Sequence, residues 1–153
     1  MKTRVPVTIC LCLLALSCFA QNGKPQREAD EAFETEMAHQ NEACGDAVDL
    51  AGRNECLNDI RDETYKNYTK FFDALREALI QASPNDANAL SLDATERAWE
   101  KYRVTACDAM VRVYDMGTIK HPGTSAPSAQ TRCLIQLTRS RMRDLKLLYE
   151  PTL

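Results

Sequence analysis

The side chains of this sequence best suited to covalent chemistry, metal binding or proton transfer are its seven cysteines and two histidines. The histidines, His39 and His121, lie far apart, and the histidines and cysteines form no cluster with the spacing of a metal motif. No glycine-rich phosphate loop and no serine nucleophile elbow is present. The abundant carboxylates recur at the spacing of helix faces, where they are usually solvated. We therefore expect no catalytic residue, no metal and no cofactor, and an enzyme with an unrecognised carboxylate site is the weakest hypothesis.

The first twenty residues have the pattern of a secretory signal peptide. Lys2 and Arg4 give a positive start, residues 5–16 form an apolar run, and a small-x-small site ends at Ala20. The apolar run is shorter than the roughly 20 residues of a membrane-spanning helix. We expect cleavage after Ala20 and a periplasmic or secreted protein. A lipid anchor on Cys18 is a minor alternative, because a leucine lies two residues before it rather than three.

Removal of the signal peptide leaves an even set of four cysteines, at positions 44, 56, 107 and 133. In an exported chain such a set predicts two disulfides. We favour the local pairs Cys44–Cys56 and Cys107–Cys133, while the two other connectivities stay open.

The charge and length of the predicted mature chain limit its class. Without Lys2 and Arg4, 17 basic residues face 22 acidic ones, which gives a net charge of −5. This acidic balance argues against a nucleic-acid partner. We divide the chain into a signal peptide at 1–20, a flexible tether at 21–27 and a single domain at 28–153.

Helical periodicity runs through the first half of that domain. A helix is predicted from residue 28 to about residue 43, with a narrow apolar stripe that includes Ala29, Ala32 and Phe33. A second, longer helix follows, and its inward residues recur every three or four positions. These inward residues are Leu57, Ile60, Thr64, Tyr68, Phe71, Leu75 and Leu79.

The third helix contains the only tryptophan. Asp93 and Glu96 have the form of a capping box, which predicts that this helix begins near Asp93. Trp99, Tyr102 and Arg103 are predicted as structural core residues, with Arg103 packed on the Trp99 ring or paired with a carboxylate.

A long irregular loop is predicted at residues 117–130, followed by a last helix at about 131–149. The inward residues of that helix are predicted to be Leu134, Leu137, Met142, Leu145 and Leu148. No segment alternates as a half-buried strand would. The fold class predicted is all-α, a small bundle of about four helices with two disulfides.

Two motifs in the third and last helices carry a family resemblance. W-E-K-Y-R-V-T-A-C at 99–107 and C-L-I-Q-L-T-R-S-R-M-R-D-L at 133–145 resemble the LprI-type lysozyme-inhibitor-like family. That family has a Trp-x-x-aromatic-Arg-x-x-x-Cys helix and a Cys-x-x-x-Leu-Thr-x-x-Arg-x-x-x-Leu helix. The spacing Cys44-x11-Cys56 before the long helix also fits, so the resemblance covers roughly residues 40–149.

The chain departs from the family pattern at two places. The family's Leu-Asn-x-x-Tyr is Thr64-Tyr65-Lys66-Asn67-Tyr68 here, and the family's Gln before Arg-x-Trp is Glu96. The resemblance implies a small exported helical domain, with lysozyme inhibition as the expected function.

Charge is distributed unevenly along the chain. Residues 28–63 contain 12 acidic and two basic residues, whereas residues 132–149 contain five basic and one acidic. The acidic part is a candidate surface for a basic partner such as a lysozyme. Its candidate binding residues are Glu34, Glu36, Glu42 and Asp46. Helix solubility and mutual pairing of the two parts is the alternative explanation.

The predicted loop is the second candidate binding surface. Its ends would be held by Cys107–Cys133, which lowers the entropic cost of binding. Its candidate contact residues are Lys120, His121, Thr124 and Ser125, whose donors could meet the two carboxylates of a lysozyme cleft. A plain surface connection is the alternative. We therefore expect an exported protein-binding module, with a structural or adaptor module of the envelope as the competing hypothesis.

Overall fold

A computed structural model describes residues 23–39, 44, 49–82, 87–115 and 126–149. These residues form four helices, named here α1 (Lys24–Ala38), α2 (Leu50–Ala82), α3 (Ala87–Asp115) and α4 (Ala126–Tyr149). The described residues contain no strand, which confirms the all-α prediction. None of these helices has a stretch long and apolar enough to cross a membrane.

The helices alternate in direction along the chain. Phe33 of α1 contacts Phe71 of α2 with ring centroids 6.0 Å apart, and Glu36 meets Thr64, so α1 and α2 are antiparallel. α3 returns antiparallel to α2, since Arg76 pairs with Asp93 and Tyr65 contacts Arg103. α4 runs parallel to α2, because Ser128 bonds Asn54 while Thr131 bonds Asn58. The fold is an up-down-up-down bundle.

The core confirms most of the inward face predicted for α2. Six of its seven predicted residues are buried, and Ile60 is partly buried against the disulfide end. Tyr68, Phe71, Leu75 and Leu79 pack with the inward residues of the other three helices. The main partners in this core are Ala29, Ala32, Ala89, Leu92, Met142 and Leu145. Burial of this face holds the four helices together.

Both predicted disulfides form. Both lie at the same end of the bundle, where α2 and α4 begin and α3 ends. Cys44 joins Cys56 with Cα atoms 5.9 Å apart, and Cys107 joins Cys133 with Cα atoms 5.5 Å apart. Both Cα separations lie within the usual range for disulfides. One bridge fastens residue 44 to the second turn of α2, and the other clips α3 to α4.

Four helix boundaries differ from the sequence-based prediction, and one of them is the end of α1, which lies at Ala38 rather than near residue 43. α1 begins at Lys24 with Pro25 in its first turn, so the predicted tether at 21–27 is helical from residue 24. α3 begins at Ala87, because Ala89 and Leu92 are buried in the core and extend the helix backwards. α4 begins at Ala126, since Ser128 and Ala129 pack in its first turn. The predicted loop at 117–130 is therefore helical over its last five residues.

Some inward assignments on α3 and α4 were wrong. Tyr102 is 58% exposed and Leu148 is 65% exposed, so neither belongs to the core. The buried residues of α3 include Leu92, Arg103 and Cys107. They lie along one edge of the helix, and α2 and α4 cover only this edge. Trp99 packs against the core but is only partly buried.

Candidate partner-binding surfaces

A buried polar cluster joins α1, α2 and α4. Glu36 is 1% exposed, and its Oε1 lies 2.6 Å from Arg139 Nε. Thr64 Oγ1 donates to the same carboxylate oxygen at 2.8 Å, and Asn67 Nδ2 donates to Oε2 at 2.9 Å. Arg139 also reaches the backbone oxygen of His39 at 3.3 Å. The carboxylate is thus fully engaged inside the bundle.

The role of Glu36 predicted from sequence was therefore wrong. A partner cannot reach a carboxylate that three helices enclose, so Glu36 stabilises the fold rather than a complex. The sequence does contain the signal, because Glu36 follows Ala29 and Ala32 at helical spacing and Arg139 stands between the inward residues Ile135 and Met142.

Two arginines and a tyrosine surround Trp99. The Cζ atoms of Arg103 and Arg141 lie 5.3 Å and 5.8 Å from the Trp99 ring centroid, and the Tyr68 ring lies 5.2 Å away. Arg103 donates to both carboxylate oxygens of Glu100, at 2.6 and 3.1 Å, and to Thr138 Oγ1 at 3.3 Å. Cation–π contacts of this kind stabilise by about 0.5–2 kcal/mol each. The predicted packing of Arg103 on Trp99 is confirmed.

Glu96 does not cap a helix; it lies inside α3 and faces α2. Tyr68 donates to Glu96 Oε1 at 2.5 Å, and Arg141 Nε lies 3.5 Å from Oε2. Burial raises the pKa of Glu96 above its usual value, although the Tyr68 hydrogen bond and the charge of Arg141 act in the opposite direction. Burial, followed by the bond to Glu96, also raises the pKa of Tyr68. Asp93 likewise pairs with Arg76, and that hydrogen bond lowers the pKa of its carboxyl.

Some of the acidic residues of α1 pair with basic residues of α4. Lys146 of α4 lies 3.3 Å from Asp30 and 3.5 Å from Glu34, and its ammonium sits 4.4 Å from the Phe33 ring centroid. Together with Arg139 and Glu36, this pairing supports the alternative that the acidic and basic parts bind each other. Glu34 stays largely exposed and can still face solvent.

An acidic groove remains on the outer side of α1 and α2. Its volume is about 540 Å³, and small side chains, among them Ala32 and Ala74, lie along its floor. Four exposed carboxylates and one lysine line its walls: Glu28, Glu31, Asp73, Glu77 and Lys70. We call this feature the acidic groove. Its net charge suits a cationic partner.

Six of the predicted binding residues lie outside the described residues. They are Lys120, His121, Thr124, Ser125, Glu42 and Asp46. Among the residues that the structure describes, no group of histidine, cysteine and acidic side chains could hold a metal ion.

Comparison with known proteins decides the family. The model of the family described as "Lysozyme inhibitor LprI" matches residues 41–145. This chain belongs to the LprI family. No curated protein and no solved structure matches it. The match contains both disulfides, all of α2 and α3, and most of α4, whereas α1 lies outside it.

The LprI motif residues of this chain assemble around the tryptophan. Arg103 and Thr138, one from each motif, are hydrogen-bonded, and Arg141 covers the Trp99 ring beside Arg103. Cys107 and Cys133, again one from each motif, form the disulfide between α3 and α4. In this LprI chain the motif therefore specifies how α3 packs on α4, and its function has to be sought on the surfaces that this packing creates.

Proposed function

We propose that this protein is an exported inhibitor that binds a lysozyme directly and blocks it. The observation that carries the proposal is the match to the LprI lysozyme inhibitor family over residues 41–145. The two disulfides support an oxidising compartment, because such bridges persist in periplasmic and secreted proteins. We place the protein in the bacterial periplasm or outside the cell, after removal of residues 1–20.

Electrostatics supports a basic target. Lysozymes are commonly basic proteins, and the acidic groove presents four carboxylates against one lysine. Charges of opposite sign on two proteins speed their encounter more than they tighten the final complex. We therefore assign the acidic groove and the neighbouring Glu34 to steering, rather than to the contact that closes the lysozyme cleft.

A lysis-protection assay tests this function. Purified oxidised protein is mixed with lysozymes of several types, and the rate of bacterial cell-wall lysis is followed. Inhibition of at least one type near a one-to-one ratio supports the proposal, and binding measured by calorimetry with the same pair shows that inhibition is direct.

Two other outcomes point to other classes. A protein that protects against no lysozyme type is better described as a structural or adaptor module of the envelope. Turnover of a cell-wall substrate by the protein alone would favour an enzyme with a carboxylate site. A reduced and alkylated sample is the matched control, because it keeps the composition and loses both bridges.

A further inference from the structure

We propose that a surface centred on Tyr65 is the part of this protein that contacts the lysozyme cleft. This inference rests on the proposed function and names the surface that performs it. The surface lies on the outer side of α2 and α3 and consists of Tyr65, Arg97, Lys101 and Val104. We call it the Tyr65 surface.

The shape of the Tyr65 surface suits a protein contact. Tyr65 is 45% exposed and Val104 is 44% exposed. Two shallow grooves, of about 470 and 520 Å³, flank Tyr65 and share it as a common wall. Tyr65 lies between the two grooves and Arg97 lines one of them, and tyrosine and arginine are among the residue types that dominate binding energy at protein interfaces.

Tyr65 is held in place before any partner arrives. The Arg103 guanidinium lies 5.0 Å from the centroid of the Tyr65 ring. Arg103 is itself fixed by Glu100 and Thr138 and packs on Trp99. The family motif thus supports the tyrosine from below, which reduces the side-chain entropy lost on binding.

The charged side chains of the Tyr65 surface that have no ion-pair partner among the described residues are both positive. The other ionised groups lining the two grooves are engaged: Arg61 with Asp62, Lys66 with Glu63, Arg103 with Glu100, and Glu96 with Tyr68 beside Arg141. Arg97 and Lys101 are exposed, lie one helical turn apart and form no ion pair within the described part of the chain. Asp93, one turn before Arg97, is already held by two hydrogen bonds from Arg76 Nε and one from Nη2.

An exposed tyrosine beside two exposed cations is complementary to the active-site cleft of a lysozyme rather than to the basic outer surface of that enzyme. A lysozyme cleft carries two carboxylates and binds a sugar chain, and cations beside an aromatic ring complement both features. The Tyr65 surface also lies wholly within the matched residues 41–145, whereas four of the nine residues that line the acidic groove come from α1, outside them. If lysozyme inhibition is a property of the matched residues, the Tyr65 surface is a better candidate for the contact than the acidic groove.

Substitutions inside and outside the Tyr65 surface test the assignment. With a lysozyme that the parent inhibits, Tyr65→Ala should raise the inhibition constant by at least about 30-fold, as expected for a hot spot. Arg97→Glu with Lys101→Glu should raise it by at least about 10-fold through repulsion from the cleft carboxylates. The controls are Tyr102→Ala, an exposed tyrosine of α3 that lines neither groove, and Lys24→Glu on α1. Both should inhibit within about twofold of the parent, the range of a surface position outside the contact.

A lysozyme with its two catalytic carboxylates changed to amides provides the sharper measurement. The parent should bind this lysozyme more weakly than it binds the active enzyme. Lys101→Ala should weaken binding to the amide variant only slightly further, because either change alone already removes the pair between Lys101 and a cleft carboxylate. Circular dichroism and urea unfolding confirm that each variant is folded. If the folded double-glutamate variant inhibits as well as the parent, the assignment is overturned and the proposed function stands. Loss of inhibition only in Lys120→Ala or His121→Ala would also overturn it, and failure of the parent to inhibit any lysozyme removes the proposed function itself.

Discussion

Glu36 and Arg139 are 103 residues apart in sequence and form an ion pair of 2.6 Å in the interior of the bundle. Their side chains are 1% and 10% exposed. This pair fastens α1, which lies outside the family match, to α4, which carries the second motif. α1 is thus an integral part of the bundle, and its acidic outer residues are held at a fixed position relative to α2.

Breaking the Glu36–Arg139 pair should destabilise the protein strongly. Glu36→Leu leaves Arg139 buried without its carboxylate, which costs about 3–5 kcal/mol. Arg139→Met alone should cost a similar amount, whereas Glu36→Leu combined with Arg139→Met should cost clearly less than the sum, because no unpaired charge remains. Urea unfolding measures each free energy. Glu34→Ala is the matched control on the same helix and should change stability by less than about 0.5 kcal/mol.

The same experiment separates a structural from a binding role for Glu36. A Glu36→Leu, Arg139→Met protein that folds should inhibit as well as the parent. A folded protein that loses inhibition would mean that the carboxylate reaches a partner after all.

Trp99 should behave as a structural residue although it is only partly buried. Trp99→Ala removes the ring that Arg103, Arg141 and Tyr68 contact, and we expect a loss of about 3 kcal/mol, at the lower end for a large-to-small change. Tyr102→Ala, three residues further on and largely exposed, should cost less than about 0.5 kcal/mol. Thermal and urea unfolding measure both. Normal stability of Trp99→Ala together with lost inhibition would identify Trp99 as a binding residue.

The position of Tyr102 shows how well helical spacing alone predicts which residues are buried. Spacing predicted Thr64 and Tyr68 correctly, because α2 is covered by the other helices along most of one face. Spacing failed for Tyr102, three residues after Trp99, because α3 is buried along one edge only. A single sequence does not specify the width of the face that its neighbours will cover.

The polar residues of the interior were harder to predict than the apolar ones. Glu36 and Arg139 stand at inward positions, but a charged residue there is read as exposed unless its partner is known, and the partner here lies on another helix. Asp93 and Glu96 likewise matched a capping box in sequence, whereas their actual partners are Arg76 and Tyr68. The candidate surface at Tyr65 depends on the same tertiary information, since Arg103 reaches its ring only when α3 packs beside α2.

Glu96 should make stability depend on pH in a defined direction. Its pKa is raised in the folded protein, mainly by burial, so the folded state holds this proton more tightly than the unfolded state. The resulting stabilisation is complete below the unfolded pKa of about 4.3 and is lost as pH rises through the folded pKa. Relative to Glu96→Gln, the parent should therefore become more stable as pH falls from 7 towards about 4.

Glu96→Gln is an informative variant because it introduces the residue of the family motif. At pH 7 we expect it to match or exceed the stability of the parent, since the neutral amide avoids desolvation of a charge. Urea unfolding of both proteins at a series of pH values provides the measurement, and subtraction removes the opposing contribution of Asp93, whose pKa is lowered by Arg76. A difference that stays constant with pH would show that Glu96 titrates alike in both states.

The two disulfides should contribute separately to stability. Replacing Cys107 and Cys133 by serine opens a closed segment with a sequence separation of 26, which should cost roughly 3.5 kcal/mol. The same change at Cys44 and Cys56, with a separation of 12, should cost roughly 3 kcal/mol. Non-reducing peptide mapping should recover the two pairs, and free thiols in the exported protein would contradict the expected compartment.

The acidic groove should act on the rate of association with a basic lysozyme. Glu31→Gln, Asp73→Asn and Glu77→Gln together remove three exposed charges there, and they should lower the association rate while leaving dissociation nearly unchanged. The effect should fade between about 10 mM and about 150 mM salt, where the screening length falls from about 30 Å to about 8 Å. Surface plasmon resonance at several salt concentrations separates the two rates.

A variant with the same change in net charge shows whether position matters. Glu55→Gln, Asp59→Asn and Asp144→Asn remove three exposed charges that do not line the groove. If the groove steers the lysozyme, this control should slow association less than the groove variant at about 10 mM salt, because the attraction between charges falls with distance. Equal slowing by both variants would mean that net charge alone guides the encounter. A change mainly in the dissociation rate of the groove variant would place these carboxylates in the contact and would count against a purely steering role.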